Sequence, residues 1–287
     1  MNIVITGSNS GFGRLTTETL ARAGHTVYAT MREATGRNAR AAEELRAFGA
    51  SHGNRVHVYE MDVTSDEAVE KAFAGIAQHA AGAIDVLVNN AGRFAMGVQE
   101  AFRVDEVKSL FETNVFGPLR VTRAALPHMR KRRSGLVVHV SSIVGRVSLP
   151  TTGTYSASKF ALEALAEAQR DELKGLGIDV VIVEPGAFPT EVGNKGLYAH
   201  DPARSDDYGP VAQIPQKMGE GLARLFSSPH APKPQQVADA IHRIIHTPHG
   251  QRPDRIVVDD LTGGPVKALN EAYLKHRHDV LAAFGIA

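Results

Sequence analysis

Tyr155 and Lys159 stand four positions apart in Tyr155-Ser156-Ala157-Ser158-Lys159, thirteen residues after Ser142. On a helix, that spacing places a phenol and an ammonium one turn apart on the same face. A phenol that titrates near its ordinary value of about 10 is a poor acid or base at neutral pH. A cation one turn away favours the phenolate and lowers that value, which would let Tyr155 work as a general acid/base. Ser142 supplies a hydroxyl that can hydrogen-bond a substrate oxygen where charge develops. Taken alone, Tyr-x-x-x-Lys is a weak signal, since six Tyr and ten Lys in this chain give about 0.2 chance occurrences. Its position behind Ser142, in a chain that opens Thr6-Gly7-Ser8-Asn9-Ser10-Gly11-Phe12-Gly13, makes it specific.

These residues need a scaffold, and the hydrophobic pattern describes one. Short runs rich in Val and Ile recur at Ile3–Ile5, Thr26–Thr30, Val56–Tyr59, Val86–Val88, Leu136–Val140, Val180–Val183 and Ile256–Val258. Longer helical patterns lie between them: Gly13–Ala23, Arg37–Phe48, Ser65–His79, Val104–Arg130, Tyr155–Leu176 and Pro234–His246. Near-continuous apolar strands alternating with helices predict an α/β fold with a parallel sheet covered on both faces. Seven such strands in 287 residues predict a single doubly wound Rossmann-type domain spanning 1–287, with a mostly parallel sheet. The Pro- and Gly-rich stretch 187–232 breaks this rhythm and reads as an irregular segment, a substrate-binding lid. Val266–Phe284 has helical apolar spacing and would cap the sheet or dock on a neighbour.

Gly7, Gly11 and Gly13 fall where the first strand turns into the first helix, a place that suits a pyrophosphate at a helix N-terminus. Their spacing departs from Gly-x-Gly-x-x-Gly and resembles the Thr-Gly-x-x-x-Gly-x-Gly of the short-chain dehydrogenase/reductase family. The resemblance extends along nearly the whole chain. Asn89-Asn90-Ala91-Gly92, Asp62-Val63 and Pro185-Gly186 with Thr190 are similar to further family elements. The motif wording is nearest to the hydroxysteroid and retinol dehydrogenase branch.

The resemblance implies an oxidoreductase that transfers a hydride between a nicotinamide and a carbonyl or secondary alcohol. It implies Tyr155 as acid/base, Ser142 positioning the carbonyl, and Lys159 lowering the Tyr155 pKa while binding the nicotinamide ribose. Asn114 matches the fourth catalytic residue, which holds a water beside the Lys. Cofactor contacts would come from Gly7, Ser10, Gly11, Phe12, Gly13, Arg32, Asp62, Val63, Asn90, Ala91, Gly92, Tyr155, Lys159, Pro185, Gly186 and Thr190. The second strand ends Ala29-Thr30-Met31-Arg32, with no acid to receive a ribose 2′-hydroxyl and an Arg able to pair with a 2′-phosphate. NADP(H) is therefore expected, with NAD(H) as the alternative. Ser10 stands where many NADP-preferring members carry a basic residue.

Composition narrows the remaining classes. A net charge of +1 gives no electrostatic case for nucleic acid or an acidic membrane surface. Arg130–Arg133 reads as a solvated helix end. With no cysteine, disulfides, thiolate metal sites and thiol nucleophiles are excluded. His242 and His246 lie four apart without the Glu or third ligand of a metal site, so no metal is expected. The first apolar run lacks a basic n-region and meets a Gly-rich turn at once, which predicts a strand and a cytoplasmic protein.

Phe94, Met96, Val144, Arg146, Leu149, Phe188, Tyr198, Tyr208, Met218 and Phe226 are expected to border a mostly apolar pocket for a ketone, aldehyde or alcohol. A homodimer or homotetramer is expected from the two long central helices, as in related enzymes. The competing readings are a 3-oxoacyl-type reductase and a non-catalytic NADP(H)-sensing protein. Epimerases of the extended relatives differ in glycine spacing and carry a larger substrate domain.

Overall fold

A computed structural model of the chain describes residues 1–193 and 195–286. Seven strands form one sheet: β1 (Asn2–Thr6), β2 (Thr26–Met31), β3 (Val56–Glu60), β4 (Val86–Asn89), β5 (Gly135–Val140), β6 (Ile178–Pro185) and β7 (Arg255–Val258). Their order is β3-β2-β1-β4-β5-β6-β7, and every neighbouring pair is parallel. The chain winds outward from β1 to β3, then returns to lay β4 on the other side of β1. That reversal opens a crevice at the carboxyl ends of β1 and β4, the usual ligand position in open α/β sheets.

Both faces of the sheet are covered, which is why its strands read as unbroken apolar runs. On one face Ile3, Ile5 and Val27 pack with Leu20 of α1 (Gly11–Arg22), Leu45 of α2 (Ala39–Ser51) and Ile241 of α9 (Gln235–His246). On the other, Val4, Leu87 and Val137 meet Phe73 of α3 (Asp66–His79), Met129 of α5 (Gly117–Arg132) and Leu173 of α6 (Gly153–Lys174). Each fully buried Leu or Ile contributes about 2 kcal/mol of apolar burial.

Two elements differ from the sequence expectation. The helix expected over Val104–Arg130 is interrupted: α4 (Val104–Phe111) passes through a π-helical turn at Glu112–Phe116 before α5 begins. Pro118 explains the interruption, because it has no N–H to return to the carbonyl of Asn114 four residues earlier. π-turns of this kind recur at functional sites, and this one carries Asn114.

The 187–232 stretch is more regular than its composition suggested. Leu197–Tyr198 pairs with Ala95–Met96 in a two-stranded ribbon, followed by α7 (Pro202–Asp206) and α8 (Ile214–Phe226). The stripe Ile214, Met218, Leu222, Leu225 defines α8, but Pro215, Gly219 and Gly221 mask it in the sequence. Beyond β7, α10 (Gly263–Ala283) packs back against the sheet, one of the two positions that the helical spacing of Val266–Phe284 left open. No helix among the described residues is long and apolar enough to cross a membrane.

Candidate active site

The turn from β1 into α1 depends on its glycines. Gly7 and Gly11 have φ of 68° and 55°, a region that favours glycine. A Cβ on Gly13 would run into the Gly7 carbonyl and the Asn90 amide. The loop after β4 is stitched to this turn. Asn90 Nδ2 donates to the carbonyls of Thr6 (2.8 Å) and Gly7 (3.2 Å). In return, Thr6 Oγ1 accepts the N–H groups of Asn90 (3.0 Å) and Ala91 (2.9 Å).

Ser10 caps α1 in extended conformation without a side-chain cap bond. Uncapped first-turn N–H groups and the positive end of the helix favour an anion here. A cleft of about 350 Å³ opens above, lined among others by Gly11, Arg14, Pro189, Thr190 and Pro234. Uncapped amides, a glycine floor and an adjoining cleft fit a dinucleotide pyrophosphate. Phe12 meets Phe188 edge-on at 5.5 Å, so Phe188 is part of the core and does not border the substrate pocket as expected.

At the adenine end, Asp62 Oδ1 accepts from Thr64 N (2.9 Å) and Thr64 Oγ1 (2.8 Å), and Val63 is buried. Arg32 is exposed at the end of β2, where its carbonyl accepts from Asn38 Nδ2 at 2.7 Å.

At the carboxyl end of β5 the other candidates converge. Lys159 is buried and donates to the carbonyl of Val140 at 2.9 Å, with its Nζ 5.9 Å from the centre of the Tyr155 ring. Ser142 Oγ donates to the Pro185 carbonyl (3.3 Å) and accepts from Val144 N (3.3 Å), which ties β5 to the end of β6. Phe94 lies edge-on to Tyr155 at 5.1 Å. Gly92 leaves the approach open: a Cβ there would be 3.6 Å from Lys159 Nζ and 3.4 Å from Asn114 Oδ1.

One expectation is corrected here. Burial pushes the Tyr155 phenol up to about 12, with hydrogen bonding to Ser142 working the other way. Burial likewise lowers Lys159 itself to about 8, against the pull of the Glu163 charge. The side-chain amide of Asn114 bonds to protein partners at both ends. Its Oδ1 accepts from Arg93 N (2.8 Å), and its Nδ2 donates to Arg93 O (2.9 Å) and Ser158 Oγ (3.0 Å). The Asn114 side chain therefore ties the loop after Gly92 to the residue beside Lys159.

Behind the site lies a cluster that sequence reading missed. Arg255 donates through Nη1 to Glu163 Oε2 (2.8 Å) and Glu184 Oε1 (2.7 Å), and also pairs with Glu167. Ser141 donates to Glu163 Oε1 at 2.6 Å. The available signal was a carboxylate closing the otherwise apolar run Val180-Val181-Ile182-Val183-Glu184. Arg146, expected at the pocket, turns away into this cluster. Its guanidinium lies 4.2 Å over the ring of Tyr273, and its Nε donates to Asn270 Oδ1 at 2.8 Å.

His242 and His246 touch at 4.3 Å between ring centres, and no group of three or more potential metal ligands forms among the described residues.

Comparison with known proteins agrees with this geometry. The family described as short chain dehydrogenase matches residues 1–197. Human retinol dehydrogenase 8 is 32% identical, covering 80% of this chain and 79% of its own length. The NADPH-dependent 3-dehydrocapnine reductase of Ornithobacterium rhinotracheale is 31% identical over 76% of each chain. The crystal structure of a short-chain dehydrogenase from Streptomyces avermitilis superimposes with a TM-score of 0.75 at 35% identity, covering 99% of this chain and 97% of that one.

Proposed function

The chain belongs to the short-chain dehydrogenase/reductase family of NAD(P)-dependent oxidoreductases, and from that premise we propose that it reduces an apolar ketone or aldehyde at the expense of NADPH. The observation that carries this reading is the buried Lys159 ammonium, fixed 2.9 Å from the Val140 carbonyl beside Tyr155 and Ser142. When bound, NADPH supplies the hydride. Tyr155, its phenol raised to about 12, is fully protonated at neutral pH and gives its proton to the carbonyl oxygen as charge develops there. Ser142 orients that oxygen. Lys159, at about 8, carries the charge that favours the resulting phenolate and holds a proton close to neutrality for its return.

Preference for NADPH over NADH rests on Arg32, exposed where an acid would otherwise repel a 2′-phosphate. The name of the Ornithobacterium relative points the same way. Arg32→Ala is expected to weaken NADPH binding about tenfold and leave NADH binding within about twofold, read by nicotinamide fluorescence. Equal weakening of both cofactors would remove Arg32 from this role. The reaction is tested by NADPH consumption with retinaldehyde, long-chain methyl ketones and aromatic ketones. Failure to turn over every member of that panel would reject the reading.

The substrate's apolar part would lie under the 187–232 lid, where no residue of α8 is fully buried and the Ile214, Met218, Leu222 side is half-exposed. Exposed Phe116 and Phe160 support pairing of the central helices about a two-fold axis. Sedimentation velocity would show a dimer or larger, and a monomer would exclude that pairing.

A further inference from the structure

Ser142 is held from behind by two separate chains of contacts, and both end on one side chain of α10. Asn270 is 5% exposed, and both ends of its amide are used. Its Oδ1 accepts from Arg146 Nε at 2.8 Å. Arg146 leads to Ser142 through a tight turn, in which Gly145 N donates to Ser142 O (2.8 Å) and Arg146 N to Ile143 O (3.1 Å). The other end, Asn270 Nδ2, donates to Glu184 Oε2 at 2.7 Å. Glu184 precedes Pro185, whose carbonyl receives the Ser142 hydroxyl. Tyr273, one turn along α10 from Asn270, supports the Arg146 guanidinium with its ring, and its hydroxyl donates to Glu167 at 2.6 Å.

The cluster has little freedom to rearrange. Arg255 fixes Glu184 and Glu163 from below, and Ser141 fixes Glu163 from the strand end. A Cβ on Gly145 would run into Glu163 Oε1 and come within 2.7 Å of Ser141 Oγ. Buried polar groups that satisfy one another in this way specify one arrangement, since losing any partner leaves another unpaired in low dielectric. The family match ends at residue 197, so the α10 side of the clamp lies outside the matched part of the chain.

We propose that Asn270 is a positioning residue for the reaction: α10 clamps Ser142 from two sides through Arg146 and Glu184–Pro185 and sets where its hydroxyl meets the substrate oxygen. This rests on Ser142 and Tyr155 acting as described above. The clamp touches neither the glycine turn nor Arg32 and meets the expected cofactor contacts only at Pro185, so its main effect falls on the chemical step. A small displacement of a group that orients the reacting atoms costs rate far more than it costs binding.

The test uses the full-length protein and whichever aldehyde or ketone of the panel is reduced fastest. Asn270→Leu keeps the number and branching of side-chain heavy atoms and removes both hydrogen bonds. Tyr273→Leu removes the ring beneath Arg146 and leaves Asn270 in place. Each variant is expected to lose about tenfold in kcat while NADPH Kd and substrate KM stay within about twofold. Unchanged kcat in a folded variant would overturn the clamp, as would a parallel loss of kcat and NADPH affinity, which marks general damage to the fold. Should Asn270→Leu fail to fold, Tyr273→Leu decides alone. Tyr155→Phe is measured alongside as the reference. Turnover that survives in it would overturn the reading of the site itself, and the clamp with it. Turnover lost there but intact in both α10 variants would overturn only the clamp.

Discussion

Replacing Tyr155 with Phe is expected to lower the rate of carbonyl reduction by about a thousandfold and leave NADPH affinity within about twofold. The substitution removes one oxygen. The ring keeps its edge-on packing against Phe94, and Lys159 keeps its bond to the Val140 carbonyl, so the site retains its shape. What is lost is the proton donor, and water reaching a half-buried ring position is a poor replacement for a positioned acid. Cofactor affinity is carried elsewhere, by the glycine turn and the loop stitched to it through Asn90 and Thr6.

The pH dependence follows from two displaced groups. Tyr155, raised to about 12, remains a donor across the accessible range. Lys159 has been lowered from 10.5 to about 8, so its charge is complete below that value and is lost as pH rises through it. Reduction by the unmodified protein is therefore expected to decline above about pH 8. Steady-state kcat against pH, with NADPH saturating, measures both effects. Substantial residual turnover in Tyr155→Phe, or a profile flat to strongly alkaline pH, would remove Tyr155 and Lys159 from these roles.

Much of this site could be read from the chain because its parts sit at strand ends, where sequence and position are tightly linked. An apolar run followed by glycines, or by Asn-Asn-Ala-Gly, fixes both the strand and the loop that leaves its carboxyl end. All seven strands follow from that periodicity and the one-turn Tyr155–Lys159 pair from its spacing, while the expectation that Ser142 joins them rests on the family resemblance. Charge and desolvation were less visible. A Lys one turn from a Tyr suggests a lowered phenol, but burial raises the phenol of Tyr155, with its bond to Ser142 working the other way. The turn carrying Asn114 was hidden for a different reason. Its apolar pattern continues through Phe111 and Val115, and only the missing N–H of Pro118 breaks the hydrogen-bond ladder. Arg146 read as a pocket residue because it follows Ser142 closely, yet its partners Asn270 and Tyr273 arrive from more than a hundred residues away. Long-range polar pairing of this kind has no local signature.

That pairing also predicts the largest stability effect. Arg255→Met is expected to destabilise the fold by about 3–5 kcal/mol at neutral pH, because it leaves carboxylates buried without their cation. The Arg255 side chain is 3% exposed, while those of Glu163 and Glu184 are 2% and 0% exposed. Glu163 already lies at about 7, raised from 4.5 by burial and the neighbouring Glu184 and held down in part by Arg255. Removing the guanidinium drives it further up. A carboxyl raised in the folded state keeps its full contribution to stability below its unfolded value. It loses that contribution as pH rises through the folded value. The difference in unfolding free energy between wild type and Arg255→Met should therefore be larger at about pH 8 than at about pH 5.5.

Taking the difference also removes groups that titrate in both proteins. His139, buried and lowered to about 4, costs stability as pH falls below its ordinary 6.5, but it does so equally in each. Arg255→Lys supplies the charge without the planar fork that reaches Glu163 and Glu184 together, and should recover only part of the loss. Urea unfolding at the two pH values measures all of this. A penalty that is small, or the same at both, would mean that the three carboxylates do not depend on Arg255 for their charge.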